Sequence, residues 1–227
     1  MSGGDVARVG NMRIFEVAPP SGAPRRGGVI VIQEAFGVND HIEDIARRFA
    51  VEGYHAVAPD LFHRSGGGTA PYDDFSKVLP LFAGLDDDGI LADIDASFEK
   101  LAEVGLNPMQ TGLVGFCFGG RIAFLAAARR QFGAAVGFYG GGIVSARFPQ
   151  FPALVDEARQ LHTPFLGLFG DLDESIPVDD VEVLREELKA APVATEIVRY
   201  SEAGHGFHCD ARAGHYHEKS AADAWQR

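Results

Sequence analysis

An α/β fold with a mostly parallel sheet and helices on both of its faces is the class that this sequence predicts. Short apolar runs alternate along the chain with helical patterns, and 46% of the 227 residues are hydrophobic. Alternating strands and amphipathic helices of this size form parallel sheets that are covered on both sides. Neither a repeat nor a second domain is indicated, so we expect one domain over residues 1–227.

The elements follow from the period of the apolar residues. Residues 12–18 alternate between apolar and polar, which is typical of an edge strand, and residues 61–75 are rich in Gly, Ser and Pro, which indicates a long surface loop. Buried strands are predicted at 29–32, 54–58, 113–114, 134–139, 165–169 and 196–200. Helical spacing predicts helices near 42–49, 90–101, 121–130 and 178–188, and from 218 onward.

Charge and cysteine content limit the partners. The chain has 20 Lys and Arg against 32 Asp and Glu, a net charge of −12, so neither nucleic acid nor an anionic membrane is an expected partner. No signal-peptide pattern opens the chain, and no apolar run reaches the length of about 18 residues that a membrane span needs. We expect a cytoplasmic protein, monomeric or weakly dimeric, that binds a small-molecule substrate and uses neither metal nor cofactor.

Cys117 is the predicted nucleophile. Residues 115–119, Gly-Phe-Cys-Phe-Gly, follow an apolar strand and precede a helix, as a cysteine version of the nucleophile elbow of α/β-hydrolases requires. The glycines allow a strained turn, and the start of the helix favours the thiolate. The amide of Phe118 would then face a developing oxyanion. A buried structural cysteine is the alternative for this motif on its own.

The predicted acid lies on the loop after the strand at 165–169. Asp173 is favoured because it stands at the tip of the loop, four residues before Pro177. Asp171 and Glu174 are the alternatives, since Asp171 directly follows the turn glycine and could bond only local amides. A carboxylate in this position would orient the catalytic histidine.

His205 is the predicted base. It follows the last strand between two glycines, and the order Cys, Asp, His along the chain is that of α/β-hydrolases. A zinc cluster is the weaker alternative for this region, although its spacing matches no common ligand pattern. Its members would be His208, Cys209, Asp210, His215 and His217.

Together these stretches resemble the dienelactone hydrolase (carboxymethylenebutenolidase) family. The matching segments are QEAFGVN at 33–39, GFCFGG at 115–120, GFYG at 137–140, LDESIP at 172–177 and EAGHGF at 202–207. The resemblance implies that Glu34 contacts the resting thiol and that the amides of Ala35 and Phe118 form the oxyanion hole. It also implies that Tyr139 lines the pocket.

The sequence departs from the family where two arginines are expected to hold a substrate carboxylate. Cys209 stands at one of these positions, and a gapless count places Phe75 at the other. Phe75 and Phe82 would make the pocket more apolar. The candidate replacement cations are Lys77, Arg64 and Arg212.

The sequence therefore predicts a hydrolase that cleaves lactones or activated enol esters through Cys117, His205 and Asp173, with weak activity on dienelactone. A non-catalytic hydrolase-fold binding protein would predict a broken triad, whereas all three members are present. A thiol redox sensor that uses Cys117 is the third possibility.

Overall fold

The computed structural model describes residues 3–227, which form two compact units, residues 3–113 and residues 114–227. In the described part of the chain, none of the helices combines the length and the apolar character needed to cross a membrane.

The first unit has four strands, β1 (Asp5–Val9), β2 (Met12–Val17), β3 (Gly27–Ile32) and β4 (Tyr54–Pro59), which lie in the order β1-β2-β4-β3. Strands β3 and β4 are parallel, and β2 pairs antiparallel with both β1 and β4. The prediction that residues 12–18 form an edge strand is therefore wrong, because β1 covers the outer side of β2. Strand β1 was not predicted: it is mostly exposed, so its sequence lacks a clear apolar face.

Side-chain caps define where the long helices of this unit begin. The Asn39 side chain accepts a hydrogen bond from the Ile42 amide, and Asp86 accepts one from the Gly89 amide. Such caps satisfy amides that have no partner inside the helix. The helices are α1 (Asp40–Val51), α2 (Val78–Phe82) and α3 (Asp87–Ala102).

The expected surface loop at 61–75 is partly wrong. Leu61–Ser65 form a 3₁₀ turn, and both Leu61 and Phe62 are fully buried. Asp60 holds this turn, since its carboxylate accepts hydrogen bonds from the amides of Phe62 and Gly68. The prediction of a surface loop relied on the many glycines and prolines of the segment, and it therefore missed this buried apolar pair.

The second unit carries the strands that precede the predicted nucleophile, acid and base. Its strands are neighbours in the sheet in the same order in which they follow along the chain, and the third is parallel to both the second and the fourth. Parallel strands end at the same edge of a sheet, which is where ligands bind in open α/β folds. The elements are β5 (Thr111–Phe116, which begins in the first unit), α4 (Phe118–Arg129), β6 (Ala134–Phe138), β7 (Phe165–Gly170), α5 (Val178–Leu188), β8 (Thr195–Tyr200) and α6 (Glu218–Gln226).

Candidate active site

Cys117 lies on a sharp turn between β5 and α4. Its backbone has φ 55° and ψ −113°, and residues other than glycine rarely adopt such a positive φ. A Cβ on Gly115 would lie 1.8 Å from the carbonyl oxygen of Gly119, so the close approach of this backbone requires glycine. The turn therefore holds the thiol at the start of α4, where helix amides favour negative charge.

The acid loop brings Asp173 to His205. One carboxylate oxygen, Oδ2, lies 2.6 Å from His205 Nδ1. The other, Oδ1, accepts hydrogen bonds from the Ser175 amide (2.8 Å), the Ser175 hydroxyl (2.6 Å) and the Ile176 amide (3.1 Å). Asp173 is buried, and its two oxygens are thus committed to the loop and to the histidine.

The two alternative acids lie in other surroundings. Both oxygens of Asp171 are bonded to the guanidinium of Arg199, and Glu174 is exposed. Of the three acids considered, Asp173 is the one that the structure brings to the histidine.

The loop that carries His205 packs on the acid loop, backbone to backbone. The amide of Leu172 donates to the carbonyl of Ala203 at 2.9 Å. A Cβ on Gly170 would lie 2.2 Å from that same oxygen, so glycine is needed at the end of β7. This packing leaves His205 Nε2 3.1 Å from the Sγ of Cys117.

Charge is strongly coupled across these three groups. Burial disfavours the imidazolium, but the Cys117 sulfur and the Asp173 carboxylate outweigh it and raise the pKa of His205 to about 10. Burial likewise opposes ionisation of Asp173, but hydrogen bonds from His205 and Ser175 prevail and lower the pKa of that carboxyl. At neutral pH the arrangement is a charged imidazolium between a carboxylate and a sulfur.

Tyr139 borders the histidine at the end of β6. It is fully buried, has a φ of 38°, and its ring centre lies 5.2 Å from that of His205. The strained backbone is held by a hydrogen bond from the Tyr139 amide to the Leu168 carbonyl at 2.7 Å. That Tyr139 lines the substrate pocket stays a prediction from the family resemblance.

Glu34 and Ala35 are buried in the first unit, directly after β3. The Tyr72 hydroxyl donates to Glu34 Oε2 at 3.2 Å, and the Tyr72 ring packs edge-on against Phe36. Tyr72 was not singled out from the sequence, because a tyrosine in a Gly- and Pro-rich segment gives no signal of its partner. The roles of Glu34 and Ala35 stay predictions from the family resemblance.

The other predicted substrate-binding residues differ in exposure. Phe75 is half exposed, whereas Phe82 is buried against the ring of Phe62. Phe82 thus contributes to the core of the first unit, and its part in substrate binding stays untested.

The three candidate cations each have a partner. Arg64 forms a two-pronged ion pair with Asp93, and Lys77 lies 3.5 Å from Asp74.

Arg212 donates to His215 Nε2, and His215 Nδ1 in turn lies 2.9 Å from the carbonyl of His205. Arg212 is therefore the candidate that is linked to the histidine loop.

One residue of the zinc alternative, His208, packs among aromatic rings. His208 stacks on Trp225 and lies against Phe116 and Phe138, and Cys209 is fully buried. Within residues 3–227, no three His, Cys, Asp or Glu side chains are grouped so that they could hold a metal ion.

A cleft of about 180 Å³ borders the acid loop in the second unit, and no motif of the sequence predicted it. Its walls combine apolar and polar side chains, and Ser175 forms part of them. The lining includes Ser145, Arg147, Phe169, Ser175, Ile176 and Val181.

Comparison with known proteins defines the class. The model of the dienelactone hydrolase family matches residues 15–227. The crystal structure of a candidate dienelactone hydrolase from Klebsiella pneumoniae superposes with a TM-score of 0.86 and 40% identity, covering 100% of this chain and 95% of that one. The predicted α/β-hydrolase fold, a mostly parallel sheet with helices, is thereby confirmed.

Curated relatives agree. A candidate carboxymethylenebutenolidase from Salmonella typhimurium is 46% identical over 206 residues, which cover 88% of this chain and 74% of the relative. The carboxymethylenebutenolidase of Pseudomonas putida is 30% identical over 215 residues, 93% of this chain and 86% of the relative. The chain belongs to the dienelactone hydrolase family, and it is a hydrolase acting on carboxylic esters.

Proposed function

We propose that this protein hydrolyses lactones or activated enol esters with Cys117 as nucleophile, His205 as base and Asp173 as the acid that orients the base. The observation that carries the proposal is the continuous contact from Asp173 Oδ2 to His205 Nδ1 (2.6 Å) and from His205 Nε2 to Cys117 Sγ (3.1 Å). Nucleophile, base and orienting acid within hydrogen-bond reach of one another are the signature of an activated nucleophile.

The first half of the reaction forms an acyl-enzyme. The thiolate of Cys117 attacks the carbonyl carbon, and the Phe118 amide stabilises the negative oxygen of the tetrahedral intermediate. The ester C–O bond then breaks, and the His205 imidazolium gives its proton to the departing oxygen. In a lactone, the leaving oxygen stays attached to the acyl group.

The second half restores the thiol. Water attacks the thioester while neutral His205 accepts its proton, and the C–S bond breaks to release the carboxylic acid. Asp173 stays ionised throughout and stabilises the imidazolium each time it forms.

The choice of substrate follows from the nucleophile. A thiolate is a better leaving group than an alkoxide, so the first tetrahedral intermediate returns to substrate unless the ester oxygen leaves easily. An enolate oxygen leaves easily, because its negative charge is delocalised. The relative from Pseudomonas putida is named a carboxymethylenebutenolidase, which supports the lactone part of the proposal.

Glu34, Ala35 and Tyr139 enter the proposal through the family resemblance, Glu34 in thiol activation, Ala35 in the oxyanion hole and Tyr139 as a pocket wall. We also propose a single domain, a cytoplasmic location, and a monomer or weak homodimer.

The test pairs the two cysteines. Turnover of an enol lactone is measured for the wild type, Cys117→Ala and Cys209→Ala, each with and without iodoacetamide. We expect Cys117→Ala to be inactive, and Cys209→Ala to be active and as sensitive to iodoacetamide as the wild type, because Cys209 is buried. Turnover close to wild type in folded Cys117→Ala would exclude the proposal.

A further inference from the structure

Ser175 contacts both the acid and the base of the proposed triad, although no sequence motif marked it. Its hydroxyl donates to Asp173 Oδ1 at 2.6 Å, and the hydroxyl oxygen, Oγ, lies 3.2 Å from His205 Nδ1. The hydrogen of the hydroxyl is committed to the carboxylate, so its oxygen faces the histidine as an acceptor.

The contact with Asp173 fixes the direction of the carboxylate. Of the three donors to Oδ1, two are the backbone amides of residues 175 and 176, which any side chains there would leave in place. The third is the hydroxyl of Ser175, and it is the shortest of the three. Donors to a carboxylate favour its ionised form, so this hydroxyl helps to keep Asp173 charged and aimed at the histidine.

The contact with His205 concerns its tautomer. His205 Nδ1 lies 2.6 Å from Asp173 Oδ2 and 3.2 Å from Ser175 Oγ. Both oxygens can accept its hydrogen, so they favour the tautomer with the proton on Nδ1. With Nδ1 protonated, Nε2 is the atom that exchanges a proton with the Cys117 sulfur 3.1 Å away.

We propose that Ser175 is a positioning residue of this site, which fixes the Asp173 carboxylate and holds the His205 proton on Nδ1 through a single hydroxyl. The inference rests on the proposed function, since it assigns Ser175 a part in the same catalytic arrangement. Ser175 acts through Asp173 and His205 and does not itself react with substrate.

The other charged groups near the histidine loop leave this role to Ser175. His215 Nδ1 lies 2.9 Å from the backbone carbonyl oxygen of His205, and His215 Nε2 accepts a hydrogen bond from Arg212. Asp171 is held by Arg199.

The cleft supplies a matched control. Ser145 lines the same cleft as Ser175, and both serines are exposed. The variants are therefore Ser175→Ala, which removes the hydroxyl, Ser175→Thr, which keeps it, and Ser145→Ala, which removes a hydroxyl from the same cleft.

The first readout needs no substrate. The rate of Cys117 alkylation by iodoacetamide is measured against pH, in a Cys209→Ala background so that one thiol remains. Alkylation follows the thiolate, which the imidazolium stabilises. In Ser175→Ala we expect the midpoint of the profile to move upward by about one pH unit, the effect of losing one hydrogen bond to a charged group. Ser175→Thr and Ser145→Ala should keep the wild-type midpoint.

The second readout is the split between kcat and KM on an enol lactone. Ser175→Ala should lower kcat by about tenfold, again the effect of one hydrogen bond to a charged group, with KM within about twofold of wild type. Ser175→Thr should restore most of kcat.

Unchanged profiles and kcat in Ser175→Ala, or equal losses in Ser145→Ala, would overturn the role of Ser175. A shifted alkylation profile without any turnover of lactones or esters by the wild type would support Ser175 and refute the proposed function instead.

Discussion

The carboxylate of Asp171 and the guanidinium of Arg199 form a two-pronged ion pair, with Nε–Oδ1 and Nη2–Oδ2 distances of 2.7 and 2.9 Å. Two residues further along the same loop, Asp173 faces His205 instead. The loop therefore holds two aspartates in different surroundings. Asp171 is paired with the guanidinium of Arg199, and Asp173 is hydrogen-bonded to the proposed catalytic base.

This difference predicts opposite results for two matched variants. Asp173→Asn should lower kcat/KM by about 10⁴-fold, the precedent from serine proteases, because the histidine loses the partner that fixes its tautomer and stabilises its charge. Asp171→Asn should leave kcat/KM within a few fold and lower the free energy of unfolding by about 0–1 kcal/mol, since its ion pair is partly exposed. A larger catalytic loss in Asp171→Asn would assign the acid to that residue.

The second prediction concerns pH. The pKa of His205 is raised from 6.5 to about 10, so the imidazolium is present through neutral pH and is lost as the pH rises through about 10. The kcat/KM for an ester with a poor leaving group should fall above that pH, because the departing oxygen loses its proton donor. In Asp173→Asn the fall should begin at lower pH. Circular dichroism at each pH separates this effect from unfolding, and a kcat/KM that stays constant through pH 10 would contradict it.

The elbow gives a stability prediction. Gly115→Ala places a Cβ 1.8 Å from the Gly119 carbonyl oxygen, so the turn must shift. We expect a loss of about 1–3 kcal/mol in the free energy of unfolding, typical of overpacking, together with loss of activity. Gly214→Ala is the control, because a Cβ there meets no atom within 4 Å. Denaturant unfolding compares them, and equal stabilities would show that the turn tolerates a side chain.

The fourth prediction concerns specificity. Arg64 and Lys77 are paired with Asp93 and Asp74, and the family's two arginine positions hold other residues. Each lost charge-assisted contact costs roughly tenfold or more in binding, so we expect weak activity on dienelactone and better turnover of neutral activated esters.

The measurement for this prediction compares kcat/KM for a lactone that carries a free carboxylate with kcat/KM for its methyl ester. A strong preference for the free carboxylate would overturn it. If that preference is lost in Arg212→Ala and kept in Arg8→Ala, a control that removes an arginine distant in sequence, Arg212 is the replacement cation.

Much of the fold could be predicted from the sequence because apolar periodicity is a local property. The runs at β3, β4, β7 and β8 are continuous or alternating, and the observed strands differ from the predicted ones by at most two residues at an end. Strand β1 was not predicted because its pairing with β2, and not burial of its own side chains, places it in the sheet.

Within the site, the position of a residue along the chain was enough to predict the three proposed catalytic residues. It was not enough to predict which side chains contact one another. Cys117, Asp173 and His205 lie on the segments that follow the ends of β5, β7 and β8, so their meeting at one edge of the sheet could be expected. The hydroxyl of Ser175 and the pairing of Asp171 with Arg199 depend on loop conformation, which a short polar segment leaves undetermined.

The central claim is that Cys117 carries the acyl group, and mass spectrometry of the protein quenched in acid during turnover of an enol ester tests it directly. We predict a mass increase equal to the acyl group, located on the peptide that contains Cys117, present in Cys209→Ala and absent in Cys117→Ala. Rapid turnover by folded Cys117→Ala, or an acyl group found on another residue, would contradict the account.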